Sequence, residues 1–130
     1  MTDDNTLRSW HLKQFRRSLM DLASAGSDQL ALFPDRAAKP DELAWAFDHW
    51  ATLIRRTYEP ELSDAQIDAL AAIERKLQTM SRDGAEFDAD LWTDSALRNS
   101  EHWIEIRALA TASLDAFGWP STMAAEFPAS

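Results

Sequence analysis

The chain has 130 residues, no cysteine and a formal net charge of −9. Its length suits one domain that buries a core without metal or disulfide support. The missing thiols exclude disulfides, thiolate zinc sites, iron–sulfur clusters and cysteine nucleophiles, while the acidic balance disfavours phosphate backbones and anionic lipid as partners.

The opening MTDDNTLRSW is polar and acidic, unlike the basic-then-apolar start of a secretory signal. No apolar run approaches the ~18 residues of a membrane span. A cytoplasmic protein with no membrane and no nucleic-acid partner is expected. Ten arginines against three lysines, with abundant alanine, hint at a GC-rich bacterial genome. Low glycine and plentiful Ala, Leu, Arg and Glu favour helix, and no β-branched alternation persists.

A first helix is predicted over about residues 4–25. Leu12, Phe15, Leu19 and Leu22 recur at three- and four-residue steps and share one face, which Leu7 and Trp10 extend less regularly. Gly26 reads as a left-handed stop. Residues 27–39 read as a connection with one helical turn through Leu30, Leu32 and Phe33, ended by Pro34. The polar stretch at 35–39 is expected to be exposed.

A second helix starts at Pro40, with Asp41 and Glu42 at the positive end of its dipole, and reaches about Tyr58. Leu43, Phe47, Trp50, Ile54 and Tyr58 form its main stripe. Trp45, His49 and Leu53 form a second stripe on roughly the opposite side, at ~100° per residue. A helix apolar on two sides either sits centrally or keeps its second side for a partner.

The third helix has the clearest start. Ser63 and Gln66 form a capping box, with Leu62 and Ile67 at the staple positions. Leu70, Ile73, Leu77 and Met80 follow as its stripe, and Gly84 reads as its left-handed end. Residues 83–93 are a loop or one short turn. A fourth helix is predicted over about 94–117. Trp103, Ile106, Ala110, Leu114 and Phe117 lie on one face, and Leu97, Ile104 and Ala108 on another. Gly118, Trp119 and Pro120 write its end. Residues 121–130 read as a loose tail that Met123 and Phe127 could dock. The fold expected is an all-α single domain spanning residues 1–130: four main helices plus one short turn, bundled with mostly antiparallel neighbours. Two-sided second and fourth helices leave room for a homodimer.

Charge and tryptophan carry the functional reading. The stretch after residue 82 holds nine carboxylates against two arginines, −7 of the chain's −9. Glu86, Asp88, Asp90 and Asp94 surround Trp92 there. Of six tryptophans, Trp10, Trp50, Trp103 and Trp119 read as core anchors, whereas Trp45 and Trp92 lie off the dominant stripes. An indole ringed by acids can dock a basic protein: charge speeds encounter and the ring supplies the buried contact. The binding residues expected are Trp92, Asp88, Asp90, Glu86 and Asp94, with Trp45 and His49. An inhibitor, immunity or adaptor-type module is the class this describes.

No enzyme motif stands out. Nucleophile-elbow, P-loop and dinucleotide-binding patterns are absent, so no catalytic residue and no cofactor is assigned. His11, His49 and His102 each adjoin a tryptophan, and none sits at a metal-ligand spacing, so no metal is expected. Arg98-Asn99-Ser100-Glu101-His102 resembles the Arg-Asn…His signature of the HEPN family of helical-bundle ribonucleases over five residues, with a shorter gap. That resemblance implies RNA cleavage by Arg98 and His102 in a paired dimer. A third reading places a small apolar ligand between the second and fourth helices, against Leu53, Ile104 and Ala108.

Overall fold

A computed structural model describes residues 2–34 and 38–119. The predicted tail, with Met123 and Phe127, lies outside the described residues. Six α-helices occur among those described: α1 Thr2–Ala23, α2 Gly26–Ala31, α3 Lys39–Tyr58, α4 Asp64–Met80, α5 Asp94–Asn99 and α6 Glu101–Phe117. Two 3₁₀ turns, Glu59–Glu61 and Ala89–Trp92, join them, and the described residues contain no strand. The all-α expectation holds.

The core gathers the predicted stripes. Phe15, Leu19 and Leu22 of α1, Leu43, Phe47 and Ile54 of α3, Leu70, Ile73, Leu77 and Met80 of α4, and Trp103, Ile106, Ala110 and Leu114 of α6 form one buried cluster. Packing runs in the order α3, α1, α6, α4, and each helix is well packed on the next. Direct contact between α3 and α4 is sparse, although Arg55 pairs with Glu74 across it. A short turn ties the end of α3 to the start of α4. Their far ends are therefore held near one another without filling the space between.

The helix ends show how local chemistry sets these elements. The capping box at α4 is complete: Gln66 N–H donates to Ser63 Oγ at 3.1 Å and Ser63 N–H to Gln66 Oε1 at 2.9 Å. Gly118 ends α6 with φ +73°, and Trp119 N–H reaches back to Leu114 O at 2.9 Å. The single helix expected over 94–117 is instead broken at Ser100. Its backbone turns extended, its N–H closes α5 on Ala96 O at 2.8 Å, and its Oγ accepts from His102 N–H at 3.1 Å. One serine thus caps two helices.

Several expectations are corrected. Gly26 opens α2 rather than ending α1, and it is there for closeness, since a Cβ would sit 2.6 Å from Leu97 O. At the end of α4 the left-handed residue is Asp83 (φ +74°), not Gly84. Gly84 instead crosses the α4 terminus so tightly that a Cβ would meet Gln78 O at 2.3 Å. Lys39 is buried, its ammonium 3.7 Å from Asp94, because its stem lies along apolar surface while its head finds a carboxylate. Trp10 is no core anchor. It sits roughly 160° from the α1 stripe at ~100° per residue and is 50% exposed, edge-on to Trp50. Trp50 and Trp119 are half-buried at the margin of the core, and Trp103 alone of the four is sealed.

Candidate protein-docking surface

The open seam between α3 and α4 forms a concavity. It holds about 850 Å³ and is walled by Ala44, Trp45, Phe47 and Asp48 of α3 and by Glu74, Arg75, Leu77 and Gln78 of α4, with residues 81–85 closing one end. A second depression of about 460 Å³ shares Ala44, Ser81 and Arg82 with it and continues to Asp41, Phe87, Ala89 and Trp92. Trp45 and Trp92 therefore lie on one continuous face. That juxtaposition is not visible in the sequence, where they stand 47 positions apart.

Their situations differ. Trp45 is 62% exposed. It stacks on His49 at 5.0 Å and 11° between planes, and His49 leans edge-on against Trp50 at 4.7 Å. The indole N–H of Trp45 has no hydrogen-bond partner among the described residues. The second stripe of α3 is thus held ready by ring stacking, with one face of Trp45 on His49 and the other free. Trp92 is half-buried. Its N–H donates to Met80 O at 2.9 Å and its ring stands edge-on to Trp103 at 5.6 Å. It offers the groove an edge and also locks the loop to the end of α4.

The acids predicted to ring Trp92 do separate jobs. Asp88 and Asp90 are exposed beside it, and Asp88 Oδ1 accepts from Asp90 N–H at 2.9 Å to start the 3₁₀ turn. Asp94 is drawn to Lys39 at 3.7 Å. Glu86 turns to the other side of the loop, where it meets Lys76, Thr79 and His102. Of the carboxylates expected around this indole, Asp88 and Asp90 stand beside it without an ion pair among the described residues.

The meeting point at Lys76 was missed. Lys76 lies on the flank of the α4 stripe, three residues after Ile73, and is 8% exposed. Its ammonium contacts Glu86 Oε1 at 3.0 Å, His102 Nδ1 at 2.8 Å and Glu105 Oε1 at 3.5 Å. An ammonium only donates, so His102 accepts through Nδ1 and carries its proton on Nε2. The Thr79 hydroxyl, first, and then Lys76 hold the Glu86 carboxyl below its ordinary pKa. The cluster fastens the 83–93 loop, and with it one end of the groove, to α4 and α6. A lysine on the edge of an apolar stripe, with glutamates ahead, was the only signal for it.

The residues of the two alternative readings stand away from this face. Arg98 is exposed and makes no hydrogen bond or ion pair with His102 among the described residues. Ile104 and Ala108 are exposed on α6, Leu53 is half-buried on α3, and none of them lines the depressions above. Among the described residues no group of three or more His, Cys, Asp or Glu is placed to hold a metal, and no helix is long and apolar enough to cross a membrane. Comparison with protein-family models finds no match, and neither curated proteins nor solved structures provide one.

Proposed function

We propose that this chain is a protein-binding module and that the α3–α4 face, centred on Trp45, is where its partner docks. The observation that carries this is a large ring stacked on His49, mostly exposed, and set at the rim of a groove. A Trp whose free-state rotamer is already fixed loses little entropy on binding, which is why such residues anchor interfaces. Phe47 and Leu77 supply the floor beneath it, and the exposed Phe87 extends the apolar surface toward Trp92.

Charge gives the encounter its sign. The chain is −9 overall, and Asp41, Asp48, Asp88 and Asp90 stand on or beside this face. A cationic partner approaches such a face faster, and more so at low salt. An inhibitor, immunity or adaptor role is the class of function this describes.

A photo-crosslinking amino acid placed at Asp48, and separately at Ile104 on α6, tests the reading in cells. The expected result is one dominant protein adduct from position 48 that high salt suppresses, with none from position 104. Equal adducts from both positions, or none from 48, would contradict it.

A further inference from the structure

We propose that the groove is filled by an amphipathic α-helix of the partner whose two flanks carry opposite charge: lysine or arginine toward α3, aspartate or glutamate toward α4. This rests on the docking reading above and adds the shape of the occupant and the order of its charges.

The shape follows from the packing. α3 and α4 are tied together at one end and touch sparsely, so the space between them is a trough walled by helices. A third helix fits such a trough by laying its apolar stripe along Ala44 and the ring of Trp45, over the buried Phe47 and Leu77.

The charge order follows from the rims. On α3, Asp41 and Asp48 lie within ~60° of Trp45 on one side of the helix, taking ~100° per residue. Asp48 lines the main groove and Asp41 the adjoining depression, and neither is in an ion pair among the described residues. Opposite, Arg75 of α4 lines the wall and Arg82, just past the end of α4, lines the closed end of the groove; both are exposed and likewise without an ion pair among the described residues. Glu74 cannot neutralise Arg75, because it is engaged with Arg55. Asp83 offsets Arg82 at the groove's end, and Arg75 leaves the α4 wall positive. The two walls therefore differ in sign. A docked helix meets both walls favourably in one rotation about its axis and one direction only. Placed the other way, it sets like charges against each other on both sides. A cationic residue on the α3 flank also finds the free face of Trp45, where an aromatic ring attracts it.

The test is a selection from phage-displayed helical peptides with a fixed apolar stripe and flanks randomised between Lys and Glu. It is run on the wild-type chain, on W45A and on the charge-swapped D41K/D48K/R75E/R82E, with circular dichroism confirming that each is folded. The wild type is expected to enrich Lys on one flank and Glu on the other. The swapped protein should still enrich one Lys and one Glu flank but seat the peptide in the reverse direction, read by paramagnetic broadening from a spin label at one peptide end, and W45A should enrich neither. A synthetic peptide of the enriched sequence should bind wild type about tenfold more tightly than counterparts whose flanks are both Lys or both Glu. Flanks of one sign, or an unchanged peptide direction on the swapped protein, would overturn the charge order; if that binding still needed Trp45, the docking face itself would stand. No enrichment at all overturns the helical occupant, and the crosslink at position 48 then decides the docking face separately. A Trp45-dependent dimer of the pure chain in equilibrium sedimentation would assign the groove to a second copy and also overturn the proposal.

Discussion

Two tryptophan-bearing regions sit a helix apart and treat the same side chain in opposite ways. At one end, Trp103 is fully buried with its N–H on Leu91 O at 2.7 Å, and Trp92 lies edge-on to it with its N–H on Met80 O. On the α3 face, Trp45 has a stacked histidine beneath it, open space above and no partner for its N–H among the described residues. An indole withdrawn from water needs an acceptor, and both indoles at the first end have a backbone carbonyl. An indole left in water does not. The hydrogen-bond state of these rings thus separates Trp92 and Trp103, which hold the fold, from the exposed Trp45.

Substitution at each ring sharpens or breaks that division. Trp103→Ala carries the largest expected effect, a loss of ~3–5 kcal/mol in urea unfolding, because it empties a sealed site and strands Leu91 O. A loss below ~1 kcal/mol would mean the ring is not a core element. Trp92→Phe keeps most of the packing and removes the bond to Met80 O, so ~1–3 kcal/mol is expected by the same measurement.

Asp21 gives a calibration on neither face. Burial, opposed by nearby Arg17, lifts its carboxyl to about 6. The folded pKa lies above the unfolded value of ~4, so the folded chain binds the extra proton between them. Stability is fullest below the unfolded pKa and falls as the pH rises through about 6. Asp21→Asn should abolish that decline and leave the variant ~1–2 kcal/mol more stable than wild type at neutral pH, after allowance for solvent screening. Unfolding curves of both proteins across the acid range check it, and parallel curves would refute it. Trp45→Ala should be the mildest for the fold, within ~0.5 kcal/mol.

Much of the fold was legible. The stripes on α1, α3, α4 and α6 are written at helical spacing, and the ends at Ser63 and Gly118 are spelled by residues whose side chain or backbone freedom performs the cap. What escaped was set by contacts distant in sequence. Gly26 and Gly84 looked like left-handed stops, yet each is needed where one backbone presses on another. The break at Ser100 hid inside an unbroken apolar pattern, since α5 and α6 both face the core. At the candidate site the second stripe of α3 was readable, and the exposure of Trp45 and His49 follows from it. The groove was not, because it is a space between α3 and α4 rather than a property of either. The loop carboxylates were over-read as one patch: their spacing could not reveal that Lys39 and Lys76 each draw one of them away.

The most direct test is the affinity of the protein crosslinked at position 48, purified and titrated against wild type, Trp45→Ala and Ile104→Ala. Removing the anchor ring should weaken binding by about thirtyfold or more, the size of an interface hot spot, while Ile104→Ala binds as wild type does. If the partner binds the Trp45→Ala protein with unchanged affinity, the α3 face is not the docking surface.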